Sequence, residues 1–300
     1  MAIFKGSAVA IVTPFHDDAE QSINYDAFAD ILDYQIENGT DAIVVCGSTG
    51  ESATMTEEEH LEACKFAIDH VAHRIPVVAG SGSNCTRTAE QLTEAVREYG
   101  ADGALVLTPY YNKGTQDGVY QHFAAVAKAG RGIPIIMYNV PSRTGFNLQP
   151  ETTARIVKDV SNVVGIKEAS GDLSQIVKLM TLTDGNIDLY SGNDDQTVPI
   201  MAMGGLGVIS VVANVAPGIM HDLCAAMEAG DLAKARRLQM DTEELFECLF
   251  SEVNPIPVKK AMNLMGFAAG PMRLPLTEMT QAKAQKMAEA MKKLGISLKQ

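Results

Sequence analysis

The sequence predicts a (β/α)8 barrel followed by a small helical C-terminal domain, and three observations carry that expectation. Eight short apolar, β-branched runs alternate with amphipathic stretches, at a spacing of roughly 20 to 35 residues, which is the period and count of an eight-unit barrel. Each run is almost continuously apolar, as strands of a parallel sheet covered on both faces must be. Past about residue 225 the helical pattern continues without another strand run. Residues 1–225 are therefore expected to form the barrel and residues 226–300 the helical domain.

The strand runs are SAVAIVTP (7–14), AIVVCG (42–47), PVVAGSG (76–82), GALVLTP (103–109), PIIMYNVP (134–141), VVGIKEAS (163–170), IDLYSGND (187–194) and GVISVVAN (207–214). Among the helices, NYDAFADILDYQIENG sets Phe28, Ile31, Leu32 and Ile36 on one face. TEEEHLEACKFAIDHV opens on Thr56, a natural N-cap, and follows it with glutamates that suit the positive end of a helix dipole. TAEQLTEAVREYG stops at Gly100. GIMHDLCAAMEAGDLAKARRLQMDTEELFECLF, NPIPVKKAMNLMGF and LTEMTQAKAQKMAEAMKKLG read as helices of the tail. An open doubly wound sheet would carry G-x-G-x-x-G after an early strand. GSGSNC at 80–85 lacks the third glycine, and no Walker-type loop occurs.

Bulk properties narrow the function. The 300 residues carry a formal net charge of −13 and no Lys/Arg-rich run, which argues against nucleic-acid binding. MAIFKGSAVAIVTPF is broken by Lys5, Gly6 and Pro14 and lacks the pattern of a signal peptide. No window approaches the roughly 18 unbroken apolar residues of a membrane span. The five cysteines are widely spaced and form no C-x-x-C pair. Reduced thiols in a cytoplasmic protein are expected, with neither disulfide nor zinc.

Barrel active sites lie at the C-terminal ends of the strands. There the sequence places Ser48, Thr49 and Glu51 (CGSTGES), Thr108, Tyr110 and Tyr111 (TPYYNKG), Tyr138 and Arg143 (YNVPSRTG), Lys167 and Glu168, and the SGNDD turn. No histidine and no metal-ligand spacing falls in this set; His60 and His122 are expected as helix-face residues. A lysine in an apolar strand has its ammonium form disfavoured, which frees the amine to attack a carbonyl and form an imine. Phenols and hydroxyls supply the proton transfers such chemistry needs. Lys167 also admits a plainer account, as a snorkelling strand-end lysine or as a salt bridge with Glu168. GSTGE alone reads first as a Gly-rich turn capping a helix and second as a nest of backbone N–H groups for an anion. A phosphate site in the last two loops is disfavoured by Asp194 and Asp195.

Taken together, GSTGES (47–52), YNVPSRTG (138–145), GIKEASGD (165–172) and NPIPVK (254–259) resemble the dihydrodipicolinate synthase family, within the wider N-acetylneuraminate lyase superfamily of pyruvate-dependent aldolases. The resemblance runs from AIVTPF to RLPLTEMT. It implies that Lys167 forms a Schiff base with pyruvate, that the enamine attacks L-aspartate 4-semialdehyde, and that ring closure releases 4-hydroxy-tetrahydrodipicolinate, the first committed step of lysine and diaminopimelate biosynthesis. It further implies Tyr138 as proton donor and acceptor, with Ser48 and Tyr111 in the relay and Tyr111 supplied by a neighbouring subunit of a homotetramer. Thr49 and Ile209 fall at pyruvate-contact positions, Gly192 at a substrate-binding position and Arg143 at the position gripping the second substrate's carboxylate. No cofactor or metal is implied. Ser48 stands where many synthases have threonine, and GSTGE also occurs among sugar-acid lyases, so the alternative is another pyruvate-dependent aldolase or hydratase; Arg143 favours the synthase. L-lysine as an inhibitor would meet Ser52, Ala53, Glu57, His60, Asn84, Thr88 and Tyr110. Glu57 there replaces a common histidine and Thr88 a frequent carboxylate.

Overall fold

Each of the eight strand runs becomes a strand of one closed parallel sheet. The computed structural model describes residues 2–299. The strands are β1 (Gly6–Ala10), β2 (Ala42–Val45), β3 (Val77–Gly80), β4 (Gly103–Leu107), β5 (Ile135–Asn139), β6 (Val163–Glu168), β7 (Asp188–Ser191) and β8 (Gly207–Ser210), in sequential order, with β8 pairing back onto β1. The outer layer comprises α1 (Tyr25–Glu37), α2 (Glu57–Val71), α3 (Thr86–Glu98), α4 (Gln116–Ala129), the short α5 (Pro141–Thr144), α6 (Pro150–Asp159), α7 (Leu173–Leu182), α8 (Thr197–Ala202) and α9 (Pro217–Glu228). The tail adds α10 (Leu232–Asp241), α11 (Glu243–Leu249), α12 (Ile256–Met265) and α13 (Gln281–Lys293). Residue 225, the expected end of the barrel, falls within α9. Among the described residues no helix is long and apolar enough to cross a membrane.

The continuous apolar runs are explained by two cores that share them. Ala8, Ala10, Val44, Val78, Leu105, Ile136, Tyr138, Tyr190 and Ile209 fill the barrel interior. Their chain neighbours Val9, Ile11, Ile43, Val45 and Met137 pack outward against the helices. Successive strand side chains point to opposite faces, so both faces of each strand are apolar.

Lys167 breaks that rule on the inner face. Its register partners are Tyr138 on β5 and Tyr190 on β7, both members of the inner cluster. A register shift at Ile135/Ile136 pairs Tyr138 with Lys167. An uninterrupted ladder from Ile135↔Val163 would have set Ile166 opposite Tyr138, and a one-residue slip exchanges the faces. The irregularity in β5–β6 is therefore what turns the lysine into the barrel.

Local signals hold at several helix ends. Thr56 Oγ1 accepts from Glu59 N at 3.1 Å, while Glu59 Oε2 accepts from Thr56 N at 3.0 Å, a reciprocal cap that satisfies two orphan donors. Gly100 follows α3 with φ +87°. The first strand stops earlier than the run 7–14: Val12 N donates to Asn214 Oδ1 at 3.1 Å and Asn214 Nδ2 donates to Ala10 O at 2.8 Å, so a side chain takes over from the ladder. His60 and His122 lie on α2 and α4 as expected, and both are buried. His60 Nε2 lies 2.7 Å from Gly80 O, and His122 Nδ1 lies 3.0 Å from Thr86 Oγ1. Each imidazole has found a polar partner inside the β/α layer.

Candidate active site

A cavity of about 210 Å³ opens at the C-terminal ends of the strands, and Lys167, Tyr138, Ser48, Thr49, Arg143 and Gly192 line it. Lys167 and Tyr138 are both buried. The Lys167 Nζ lies 4.3 Å from the centroid of the Tyr138 ring. Burial pulls the amine pKa down to about 8; the buried Asp194 carboxylate opposes this, and the Arg143 guanidinium adds to it. Burial also pushes the Tyr138 phenol up to about 12, partly offset by Arg143 and by the Ser48 hydroxyl. The result is an amine that is about a tenth free base at pH 7, far more than an ordinary lysine, beside a phenol that keeps its proton. That pairing can make an imine and return a proton to the reacting carbon or oxygen.

Glu168 does not pair with Lys167. It points to the other face of β6, where Asn139 Nδ2 donates to both carboxylate oxygens at 3.0 and 3.1 Å, Gln175 Nε2 donates at 3.2 Å and Ser170 N donates at 2.7 Å. Adjacent strand residues cannot share a face, which removes the strand-end ion pair as an account of Lys167. Asp194 supplies the nearby negative charge instead. It is buried, accepts from Ser210 Oγ and from Val211 N at 3.0 Å, and its pKa is raised by burial. Gly192 is required next to the amine: a Cβ there would lie 2.7 Å from Ala169 Cβ and 3.2 Å from Lys167 Cε. Ile209 is fully buried in the barrel core.

The β2 loop is held by the tail. Thr49 Oγ1 accepts from Asn254 Nδ2 at 3.0 Å, and the Asn254 carbonyl accepts from Arg143 Nη2 at 2.9 Å. Glu51, in the left-handed region with φ +54°, accepts from Lys259 Nζ at 2.6 Å in a pair that is almost wholly buried. Lys259 lies 4.0 Å over the Phe15 ring, and its amine pKa is drawn down to about 8 by burial. Asn254, Lys259 and Asp194 were not singled out from sequence as site residues. NPIPVK was a recognisable motif, but nothing in its spacing says which loop it touches. Tyr111 is 87% exposed with φ +70° and does not line the Lys167 cavity of this chain.

A second cavity of about 550 Å³ adjoins the first, since Ser48, Arg143 and Asn254 line both. Ser52, Ala53, Glu57, His60, Thr88 and Tyr110 line its outer part. Asn84 is not among its lining residues; its carbonyl accepts from Asn112 Nδ2 at 2.8 Å.

Comparison with known proteins agrees with this architecture. The Dihydrodipicolinate synthetase family matches residues 3–294. A 4-hydroxy-tetrahydrodipicolinate synthase of Lachnoclostridium phytofermentans is 51% identical over 296 residues, covering 99% of this chain and all of the relative. The lysine-bound enzyme of Cyanidioschyzon merolae superposes with a TM-score of 0.95 at 37% identity, over 99% of this chain and 100% of that one. The chloride-inhibited dihydrodipicolinate synthase of Acinetobacter baumannii complexed with pyruvate gives 0.94 at 42% identity, over 98% and 99%. The chain belongs to the dihydrodipicolinate synthetase family.

Proposed function

We propose that the chain condenses pyruvate with L-aspartate 4-semialdehyde through a Schiff base on Lys167, releasing 4-hydroxy-tetrahydrodipicolinate. The observation that carries the reading is the inward lysine of the barrel mouth, buried, with its pKa lowered to about 8, against a protonated phenol. The free amine attacks the ketone of pyruvate, and the carbinolamine loses water to give the imine. Loss of a methyl proton gives the enamine, whose carbon adds to the aldehyde. The semialdehyde's own amine then displaces Lys167 by transimination and closes the ring.

Tyr138 is suited to carry protons in these steps, because its raised pKa keeps it a donor at rest. Ser48 continues the relay. Thr49, fixed by Asn254, and the backbone around it bind the pyruvate carboxylate. Arg143, held by the Asn254 carbonyl, is placed to grip the carboxylate of the second substrate. Tyr111 is exposed and does not line its own chain's Lys167 cavity, which fits donation to a neighbouring copy in a homotetramer. L-lysine is the proposed ligand of the second cavity, whose shared wall with the first gives it a route to inhibition.

The test is borohydride reduction of the protein with labelled pyruvate, followed by peptide mapping, beside a coupled assay with pyruvate and aspartate semialdehyde. Label on Lys167 and turnover of that aldehyde are expected. Label elsewhere would overturn the mechanism, and labelling of Lys167 without turnover of that aldehyde would overturn the substrate.

A further inference from the structure

The fold gathers a donor set that the linear spacing of the cysteines conceals. Cys46 is the residue after β2, while His60 and Cys64 lie one turn apart on α2, where i and i+4 side chains share a face. One ligand atom of each lies within 4.8 Å of those of the other two. All three side chains are buried, Cys64 completely.

The imidazole is already oriented. His60 Nε2 is 2.7 Å from the Gly80 carbonyl, the kind of backbone partner that fixes the tautomer of a metal-binding histidine and leaves its other nitrogen unprotonated. The strand carrying that carbonyl passes close by, for a Cβ on Gly80 would come within 2.3 Å of Cys46 O. The donor types are selective. Two sulfurs and one imidazole, with no carboxylate in the set, suit a thiophilic d10 cation and not Mg²⁺ or Ca²⁺. Charge also closes: a divalent ion displaces one proton from each thiol, both protons leave to solvent, and no electron moves. The resulting site is neutral, which limits the cost of burying it. His60 lines the larger cavity, which provides an entry.

We propose that Cys46, His60 and Cys64 form a binding site for one thiophilic divalent cation of the Zn²⁺ class, behind the loop that carries Ser48 and Thr49. An ion there ties the end of β2 to α2 and, through His60, to β3. It thereby couples the wall of the larger cavity to the loop that borders the Lys167 cavity.

The experiment is a Co²⁺ titration of the phosphine-reduced full-length chain carrying Cys85→Ala, which removes the exposed cysteine as a competing thiol. The expected result is a thiolate-to-cobalt charge-transfer band with tetrahedral visible bands, saturating at one ion per chain and displaced by Zn²⁺. Adding Cys64→Ala should abolish the charge-transfer band. His60→Gln, with folding checked by circular dichroism, should weaken binding by more than the ~100-fold that an outer-shell loss alone can cause. Zn²⁺ should raise the Tm of the Cys85→Ala protein and not that of the Cys64→Ala form. Absence of a charge-transfer band in folded protein, or a band that survives Cys64→Ala unchanged, overturns the site. Each readout is independent of turnover, so failure here is distinct from failure of the proposed reaction.

Discussion

Replacing Lys167 by methionine should destroy imine formation and make the protein more stable. Methionine is close to lysine in length, apolar and adaptable in packing, so the substitution removes the charge with little change in filled volume. The native amine has its pKa lowered from 10.5 to about 8. Below about pH 8 the group is charged in both the folded and unfolded states, and the folded state bears the full cost of the buried ammonium. Between about 8 and 10.5 the unfolded chain holds more protons, so the stability of the wild-type protein rises with pH through that window. Integrated to pH 7, the cost is about 3 kcal/mol, and by about pH 9.5 it falls to about 1.5 kcal/mol. The attraction of Asp194 and the repulsion of Arg143 are already inside that balance. For a chain of this size the gain corresponds to roughly 5 °C in Tm at pH 7. Scanning calorimetry of Lys167→Met and wild type at about pH 7 and about pH 9.5 measures it directly. A methionine variant that is folded but melts at or below the wild-type temperature at neutral pH would refute the claim that Lys167 is held at a cost. A gap that does not narrow with rising pH would refute its assignment to ionisation.

Further outcomes follow from the same geometry. Arg143→Ala should raise KM for aspartate semialdehyde by roughly 10- to 100-fold, the equivalent of one charge-assisted contact of about 1.5–3 kcal/mol, with a much smaller change for pyruvate; steady-state kinetics with each substrate varied decides. Lys259→Met should cost about 3–5 kcal/mol of stability in chemical denaturation, because it leaves the Glu51 carboxylate buried without its partner; a neutral result would show that Glu51 is relieved by another group. L-lysine should inhibit turnover, and Glu57→Gln should weaken that inhibition with little effect on uninhibited rate, since Glu57 lines the larger cavity and not the Lys167 cavity; inhibition unchanged by the substitution would remove Glu57 from lysine recognition.

Much of this protein is legible in the chain because the relevant physics is local. Apolar runs of strand length, separated by 3.6-period helices, leave few folds other than a parallel barrel. Thr56 with Glu59 announces a helix start that the structure builds hydrogen bond for hydrogen bond. Lys167 stood out because an ammonium is costly inside an apolar strand, and Tyr138 because it lies at the C-terminal end of its strand and opens the YNVPSRTG motif. What the chain alone left open depends on register and long-range contact. Whether Lys167 faces the barrel or the helices turns on the irregularity between β5 and β6, and a one-residue slip leaves composition and periodicity untouched. Asp194, Asn254 and Lys259 act on Lys167, Thr49 and Glu51 across 27 to 208 residues of chain, distances over which sequence pattern carries no pairing information. The same holds for Cys46 and Cys64, whose spacing argued against a shared site until β2 and α2 packed together. The sequence determined the fold and the candidate nucleophile, because burial preference and helix and strand periods act over a few residues. The tertiary structure decided which face the nucleophile takes and what surrounds it, because sheet register and side-chain contact exist only once the barrel has closed.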